Sequence, residues 1–385
     1  MRSRERWEKL IQSPKMLWNL LFRARYDYSF DLMPIHLKQM SVAKRINFMK
    51  ACLNFIYRRT NPWSWPVHMH IELTNYCNLR CPVCYVGNSE LKRKPLAMDP
   101  VLFERLIDEV GPYLLTVSLF AWGEPLLHPQ LADILRIADK HCMATILSTN
   151  GQNLDDESVL NALINHPPTY LIVSIDGVTN ETNRLFRVGS KLEPVLAGVR
   201  RIAAMKRQKG LNLPLLHMRY IVMKHNQHEL SYIQKFAIEN QFDLLTVRTL
   251  SICGNDRGGI HRKLVPDEEQ FKAYKYEGNK RVHLKDFVCQ HAFSFPTILA
   301  DGTVVACCQD YNAQQPYGKV THGCSFRDVW FSKRAATIRK TVRNARNNLS
   351  FCKNCSYADR PVSTCSILAF DLQGQKNCTI PIPRS

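Results

Sequence analysis

Between about residues 67 and 250 short apolar runs alternate with longer stretches whose apolar side chains recur every three or four positions. The short runs are bounded by Gly, Pro, Asn and Asp, and they predict strands at His68–Leu73, Leu115–Phe120, Ala144–Ser148, Tyr170–Ile175, Leu216–Val222 and Leu244–Arg248. Strands buried on both faces read as near-continuous apolar segments of this kind. The longer stretches predict helices over 99–110, 130–141, 155–165, 192–209 and 227–240. This succession of strand–helix units predicts an α/β fold with a parallel sheet and helices packed outside it. Polar residues at the C-terminal ends of the strands then become the candidates for chemistry, because the loops converge on that rim.

Outside this repeat the pattern changes. Val42, Ile46, Met49, Leu53 and Ile56 fall at helical spacing, with Lys44, Arg45, Lys50, Arg58 and Arg59 on other faces, so residues 1–66 read as a basic amphipathic helical extension. Met16–Phe22 is apolar and contains Trp18, which suggests a second helix. Two placements suit such a pair: on a membrane surface near a lipid-linked substrate, or against the sheet, closing its open edge. Downstream, Phe293–Thr297 and Thr303–Cys308 predict two strands around the turn Ala300-Asp301-Gly302. A helical run follows from Phe326 to about Arg343. The chain thus divides into an extension (1–66), a barrel (67–250), a linker (251–288), a second module (289–360) and a tail (361–385).

The 385 residues include 45% hydrophobic positions, enough for a sizeable core, and carry a net charge of +19. Residues 1–66 hold thirteen Lys and Arg against four Asp and Glu. Such an excess favours phosphates on nucleic acid, nucleotide-sugars or lipid headgroups without choosing among them. The N-terminus is charged and leads into no signal-like apolar stretch, and no run approaches the ~18 apolar residues of a membrane span. The fourteen cysteines are therefore expected to be reduced thiols of a cytoplasmic protein, used for metal.

Three of them lie within eight residues, Cys77-Asn-Leu-Arg-Cys81-Pro-Val-Cys84, directly after the first predicted strand. Iron–sulfur clusters are normally held by four cysteines. A three-cysteine loop with no fourth partner nearby implies a cluster with one open iron. Structural zinc is the rival reading and wants a fourth ligand close by. The nearest, His68 and His70, alternate along the preceding strand and are expected to face the barrel interior.

At these residues the sequence resembles the radical S-adenosylmethionine (SAM) superfamily, whose signature is this C-x3-C-x2-C loop after the first strand of a partial (β/α)6 barrel. The resemblance implies that the unligated iron binds the amino and carboxylate groups of SAM. It also implies reductive cleavage to methionine and a 5′-deoxyadenosyl radical, which abstracts a hydrogen atom from the substrate. A flavodoxin- or ferredoxin-like reductant is the implied electron source. Ala121-Trp122-Gly123-Glu124-Pro125 is similar to the family's Gly-Gly-Glu-type loop, with Trp122 in place of the first glycine; its backbone and acidic side chain are expected to receive the SAM amino group. Ser148-Thr-Asn150-Gly and Ser174-Ile-Asp176-Gly resemble strand ends that contact the ribose and methionine moieties. Arg187, in Asn183-Arg-Leu-Phe-Arg187, resembles the arginine offered to the SAM carboxylate.

The pattern Cys289, Gly302-x4-Cys307 and Cys352-x2-Cys355 resembles the auxiliary-cluster domain called SPASM in its shortened twitch form, with a single extra 4Fe–4S cluster. Its spacing is similar to that of the 2-deoxy-scyllo-inosamine dehydrogenase type. Cys289, Cys307, Cys352 and Cys355 would close all four iron sites. Cys308 stands as the alternative to Cys307, since strand neighbours point to opposite faces. A zinc ribbon is the rival here. Cys52, Cys142, Cys253, Cys324, Cys365 and Cys378 read as ordinary small apolar residues.

The expected activity is a net two-electron, dehydrogenase-like oxidation of an alcohol, sugar or lipid-linked substrate. The alternatives are maturation of ribosomally made peptides by crosslinking or epimerisation, modification of RNA, and a non-catalytic metal-binding scaffold. Nucleic acid is disfavoured as a partner, because the basic extension lacks the aromatic-interleaved groove such binding favours.

Overall fold

The parallel sheet read from the sequence is present and longer than expected. The computed structural model describes residues 18–373 apart from 21, 31, 38, 39, 58, 253–262, 278, 279, 283–286, 354 and 361–364. The chain begins with β1 (Tyr26–Phe30), β2 (Met33–Leu37) and α1 (Val42–Tyr57). The barrel follows as β3 (His68–Ile71), α2 (Pro100–Val110), β4 (Thr116–Ser118), α3 (Leu131–Ala138), β5 (Ala144–Thr149), α4 (Glu157–Asn165) and β6 (Tyr170–Ser174). It continues with α5 (Asn180–Phe186), α6 (Leu192–Lys209), β7 (Leu215–Val222), α7 (Ile233–Glu239) and β8 (Leu244–Thr249). Next come β9 (Tyr276–Glu277), β10 (Lys280–Arg281), α8 (His291–Ser294), β11 (Thr297–Ile298), β12 (Thr303–Val305) and β13 (Gly318–Lys319). The last elements are α9 (Phe326–Trp330), α10 (Lys333–Asn344), α11 (Ser350–Lys353) and β14 (Ser366–Asp371).

Ten strands form one sheet in the order β13-β12-β11-β3-β4-β5-β6-β7-β8-β14. β3 to β8 run parallel, each pairing with the next. The auxiliary hairpin continues this sheet, because β11 pairs in parallel with β3 and antiparallel with β12. At the other edge β14, from the segment expected to be a tail, pairs antiparallel with β8 and covers what would be an exposed edge.

Alternate side chains sort to two faces, as the period of two requires. Val117, Leu147, Leu171, Val173 and Met218 join the large core beneath the helices. Leu115, Ala144, Ile146, Tyr170 and Ile172 form a second core on the inner face, together with Met33, Ile35 and Leu37 of β2. The β1–β2 hairpin therefore plugs the barrel. It stands where the sequence predicted helix, because the alternation Met33-x-Ile35-x-Leu37 is a strand pattern too short to show above the basic composition.

The helix α1 also departs from expectation. Val42 and Ile46, assigned to its apolar stripe, are 60% and 51% exposed, and its buried face is Lys44, Asn47, Ala51, Asn54 and Ile56. The reason lies in its neighbours. Lys44 Nζ donates to the carbonyls of Gly111 and Leu114 at the end of α2. Asn47 accepts the Trp65 amide at 2.9 Å, and Asn54 bonds Ser64 Oγ at 2.6 Å. Buried carbonyls need donors, and this outweighs burial of two aliphatic side chains. Of the two placements expected for the extension, α1 takes the one against the barrel. Replacing Lys44 by Met leaves two buried carbonyls unpaired, so a loss of about 2 kcal/mol in chemical denaturation is expected. An unchanged midpoint would show the contact to be idle.

The auxiliary module is fixed by Arg339, which is fully buried. Its guanidinium donates to the carbonyls of Ala292 and Trp330 and lies 4.0 Å from the Trp330 ring centroid. The helical run expected from Phe326 is broken into α9 and α10 at Ser332, whose hydroxyl accepts the Ala335 amide as an N-cap. The expected strand Phe293–Thr297 is shortened to β11 by α8. Among the described residues no helix is long and apolar enough to cross a membrane. Cys253, Cys378 and part of the expected linker lie outside the described residues.

Candidate active site

The loop after β3 carries Cys77, Cys81 and Cys84 to the C-terminal rim of the parallel strands. One strand-end residue and the loop's own backbone hold it there. Asn150, just past β5, donates from Nδ2 to Asn78 Oδ1 at 2.8 Å and to Cys77 Sγ at 3.5 Å. The Leu79 amide donates to the same sulfur at 3.4 Å. Gly87 lies so close that a Cβ there would stand 2.3 Å from the Cys81 carbonyl oxygen. The three thiols lie within electrostatic reach of one another: burial pushes the Cys77 thiol up to about 11, and Glu124, Cys81 and Cys84 add to the rise.

The Trp122–Pro125 loop lies against this one. Thr74 Oγ1 donates to the Glu124 carbonyl at 2.8 Å, and the Glu124 amide donates to the Tyr76 carbonyl at 2.8 Å. A Cβ on Gly123 would meet the Thr74 carbonyl oxygen at 2.2 Å, so only glycine allows the two loops to touch. Pro125 opens a short 3-10 turn with Glu124 as its N-cap. For Gly123→Ala we expect SAM affinity to fall more than tenfold, read by anaerobic equilibrium dialysis. Wild-type affinity in that variant would show that the approach is not needed.

Two acids expected to touch SAM have partners inside the protein. The Glu124 carboxylate, 2% exposed, accepts from Thr149 Oγ1 at 2.7 Å, the Asn150 amide at 2.8 Å and the Leu126 amide at 3.0 Å. Asp176, fully buried, accepts the Ile221 amide at 2.8 Å and pairs with Arg187 Nε at 2.6 Å. A buried carboxylate must be satisfied, and these partners do so. Glu124 thus braces the Trp122–Pro125 loop against β5, and Asp176 orients Arg187. Arg187 pairs with Asp176 and lies near enough to Cys81 to oppose the rise of its thiol. Ser148 and Ser174 are the half-buried members of otherwise buried strand ends, on the inner face of β5 and β6.

Beside the apolar core of Ile146 and Ile172 the inner face also carries polar groups. His68 Nε2 lies 3.2 Å from Ser118 Oγ, and His217 Nε2 lies 2.8 Å from Thr246 Oγ1. His68 and His70 face inward as expected. Burial, with His70 and His291 nearby, holds His68 well below the usual imidazole range, and burial lowers His70 to about 4. Both are neutral near pH 7.

In the auxiliary module Cys289, Cys307, Cys352 and Cys355 form the second thiol cluster. Burial raises Cys307 well above the thiol range, and the neighbouring Cys308, Cys289, Cys355 and Cys352 push it further up. Burial likewise raises Cys289 to about 11, with Cys355 adding to it. Between the sequence alternatives the geometry favours Cys307, because Cys308 Sγ sits 3.4 Å from the Tyr357 hydroxyl. An all-thiol donor set, drawn together out of water, fits iron–sulfur clusters in both places. Among the described residues no group of three or more His, Cys, Asp and Glu surrounds a single-ion position. A cubane needs none, since each thiolate stands on its own iron.

The two cysteine sites are joined by contacts that sequence reasoning missed. Tyr85, next to Cys84, stacks on Tyr311 at 3.6 Å and meets Trp122 edge-on at 4.6 Å. Trp122 Nε1 donates to the Cys308 carbonyl at 2.6 Å. Arg93 donates to the Tyr311 carbonyl at 2.6 Å and pairs with both oxygens of Glu72. The only signal for this clamp was the departure of Trp122 from glycine.

Comparison with known proteins agrees with this geometry. Residues 71–233 match the radical SAM superfamily, and residues 289–356 match the SPASM iron–sulfur cluster-binding domain. A tungsten-containing aldehyde ferredoxin oxidoreductase cofactor-modifying protein of Pyrococcus furiosus is 26% identical over 186 residues, covering 48% of this chain and 51% of that protein. A PqqA peptide cyclase of Ruegeria pomeroyi is 24% identical over 341 residues, covering 82% of this chain and 87% of its own. The chain spans about half the length of several curated relatives that it matches. The crystal structure of Streptococcus suis SuiB bound to S-adenosylmethionine shares the fold, with a TM-score of 0.58 at 16% identity over 91% of this chain and 83% of that one. These domains imply a 4Fe–4S cluster, SAM and auxiliary iron–sulfur. This chain carries a radical SAM domain over residues 71–233 and a SPASM domain over residues 289–356.

Proposed function

We propose that the chain oxidises an alcohol or sugar substrate by two electrons, with Cys77, Cys81 and Cys84 holding the SAM cluster and Cys289, Cys307, Cys352 and Cys355 an auxiliary one. When bound, the SAM cluster supplies reductive cleavage of SAM and so a hydrogen-abstracting 5′-deoxyadenosyl radical. The chain's own residues do the rest. Asn150 and the Leu79 amide hold Cys77; Gly123 lets the Trp122–Pro125 backbone reach the SAM side; Glu124 fastens that loop to β5. Arg187, aimed by Asp176, places a cation beside Cys81 where a carboxylate is to bind. Ser148 and Ser174 offer hydroxyls at the same rim. The inward apolar side chains Ile146 and Ile172 and the β1–β2 plug exclude water from below.

The observation that carries the oxidation reading is the second thiol set. Four neighbouring cysteines would close every iron corner of an auxiliary cubane, which would suit electron transfer and leave no iron for substrate. A cytoplasmic setting keeps such thiols reduced.

A peptide substrate is the second reading. It is favoured by the extent of the match to the R. pomeroyi PqqA peptide cyclase, which exceeds four fifths of both chains. Incubating anaerobically reconstituted protein with SAM, dithionite and separate pools of polyols, sugars and short peptides tests both. Two-hydrogen loss in a sugar or polyol, with 5′-deoxyadenosine formed alongside, is expected. Turnover of peptides alone would replace the first reading by the second.

A further inference from the structure

Where the barrel's inner face meets the auxiliary module lies a cluster of polar side chains to which the radical chemistry gives no task. His70 and Thr297 stand side by side there, paired in register between β3 and β11, while their neighbours Ile71 and Ile298 turn into the outer core. His291, at the start of α8, has its ring 4.4 Å from that of Tyr357 and 5.8 Å from that of Phe295. Arg360 completes the group, with its guanidinium 4.7 Å from the Tyr357 ring centroid. Burial lowers His291 to about 3, and both His70 and Arg360 are near enough to lower it further.

Three buried atoms of this cluster, Thr297 Oγ1, His291 Nδ1 and Arg360 Nε, have no hydrogen-bond partner among the described residues. Thr297 is fully buried and Arg360 is 9% exposed. Arg360 Nη1 reaches the Cys365 thiol, but the adjacent acid, Asp359, pairs with Arg281 at 2.8 Å. A buried hydroxyl and a buried cation are costly until something pairs them. The missing partner is legible from the donors: a hydroxyl and a neutral imidazole suit the hydroxyls of a polyol, and a guanidinium suits a carboxylate or phosphate, which it can grip with two parallel bonds. His70, His291 and Tyr357 are only half-buried, so the cluster stays within reach of a ligand.

We propose that Arg360, Thr297 and His291 form a substrate subsite, and that its ligand is an anionic polyol, a sugar bearing a carboxylate or a phosphate. Arg360 takes the anionic group, and Thr297 and His291 take hydroxyls. The proposal rests on the oxidation reading above and names the substrate class of that reaction.

Anaerobic isothermal titration calorimetry of cluster-loaded full-length protein with SAM tests the binding, using glucose, glucuronate and glucose 6-phosphate as separate probes. At least one anion is expected to bind about tenfold tighter than glucose, and which one does so tells carboxylate from phosphate. Arg360→Gln is expected to lose this preference and Arg360→Lys to keep part of it, both with unchanged affinity for SAM. Thr297→Val removes a buried hydroxyl at nearly constant shape, so affinity for the same anion is expected to fall about threefold while the melting temperature holds or rises. Equal affinity for all three probes, binding of none, or an Arg360→Gln variant that keeps the preference would overturn the proposal. So would a Thr297→Val variant with a lower melting temperature and unchanged affinity, which would make that hydroxyl structural. Failure of the oxidation reading shows separately, as an anion that binds with this preference and emerges unoxidised from incubation with SAM and dithionite.

Discussion

Replacing Cys77, Cys81 and Cys84 together by alanine is expected to halve the iron of anaerobically prepared protein, from about eight to about four per chain, and to abolish 5′-deoxyadenosine formation. The reason is geometric. The loop that carries the three thiols is held by the Asn150 bond to Asn78 and by the close approach of Gly87 to the Cys81 backbone, neither of which needs the sulfurs. The fold should therefore survive the change, and the four irons that remain should report the auxiliary thiols alone. Metal analysis and chromatography of the nucleoside product measure both outcomes. Retention of about eight irons would mean that other groups hold the first cluster.

The second large effect separates neighbours. Cys307→Ser is expected to remove about four irons and the electron sink, leaving abortive SAM cleavage with little oxidised product, whereas Cys308→Ser should keep both. Cys307 is 8% exposed and coupled to Cys289, Cys352 and Cys355, while Cys308 faces Tyr357. Equal iron loss in the two variants would refute that distinction. The Trp122 indole bond to the Cys308 carbonyl uses only the backbone of Cys308, so it is preserved in the Cys308 variant.

Much of this was legible in the chain. The six parallel strands appear as apolar runs because both their faces are buried, and the cysteine spacings fix which loops carry thiols. What stayed hidden is non-local. Nothing in residues 42–57 says that Gly111 and Leu114 present carbonyls to them, so a helix read by its apolar stripe turned its polar side inward. The pairings of β11 with β3 and of β14 with β8 join residues far apart in sequence, where local pattern carries no register. Glu124 and Asp176 were read from motifs at strand ends, whereas their hydrogen bonds to Thr149, Asn150 and Ile221 depend on how three strand ends meet. Motif spacing locates a carboxylate and does not say whether it faces ligand or protein.

The central claim is that the Cys77–Cys84 loop holds a cluster open to SAM. Electron paramagnetic resonance of oxygen-free, dithionite-reduced protein with and without SAM tests it most directly, alongside the same measurement on a Cys352→Ala/Cys355→Ala variant. The account predicts that SAM shifts one of two cluster signals in the wild type and the whole remaining signal in the variant. A spectrum indifferent to SAM, or zinc in place of iron at that loop, would contradict it.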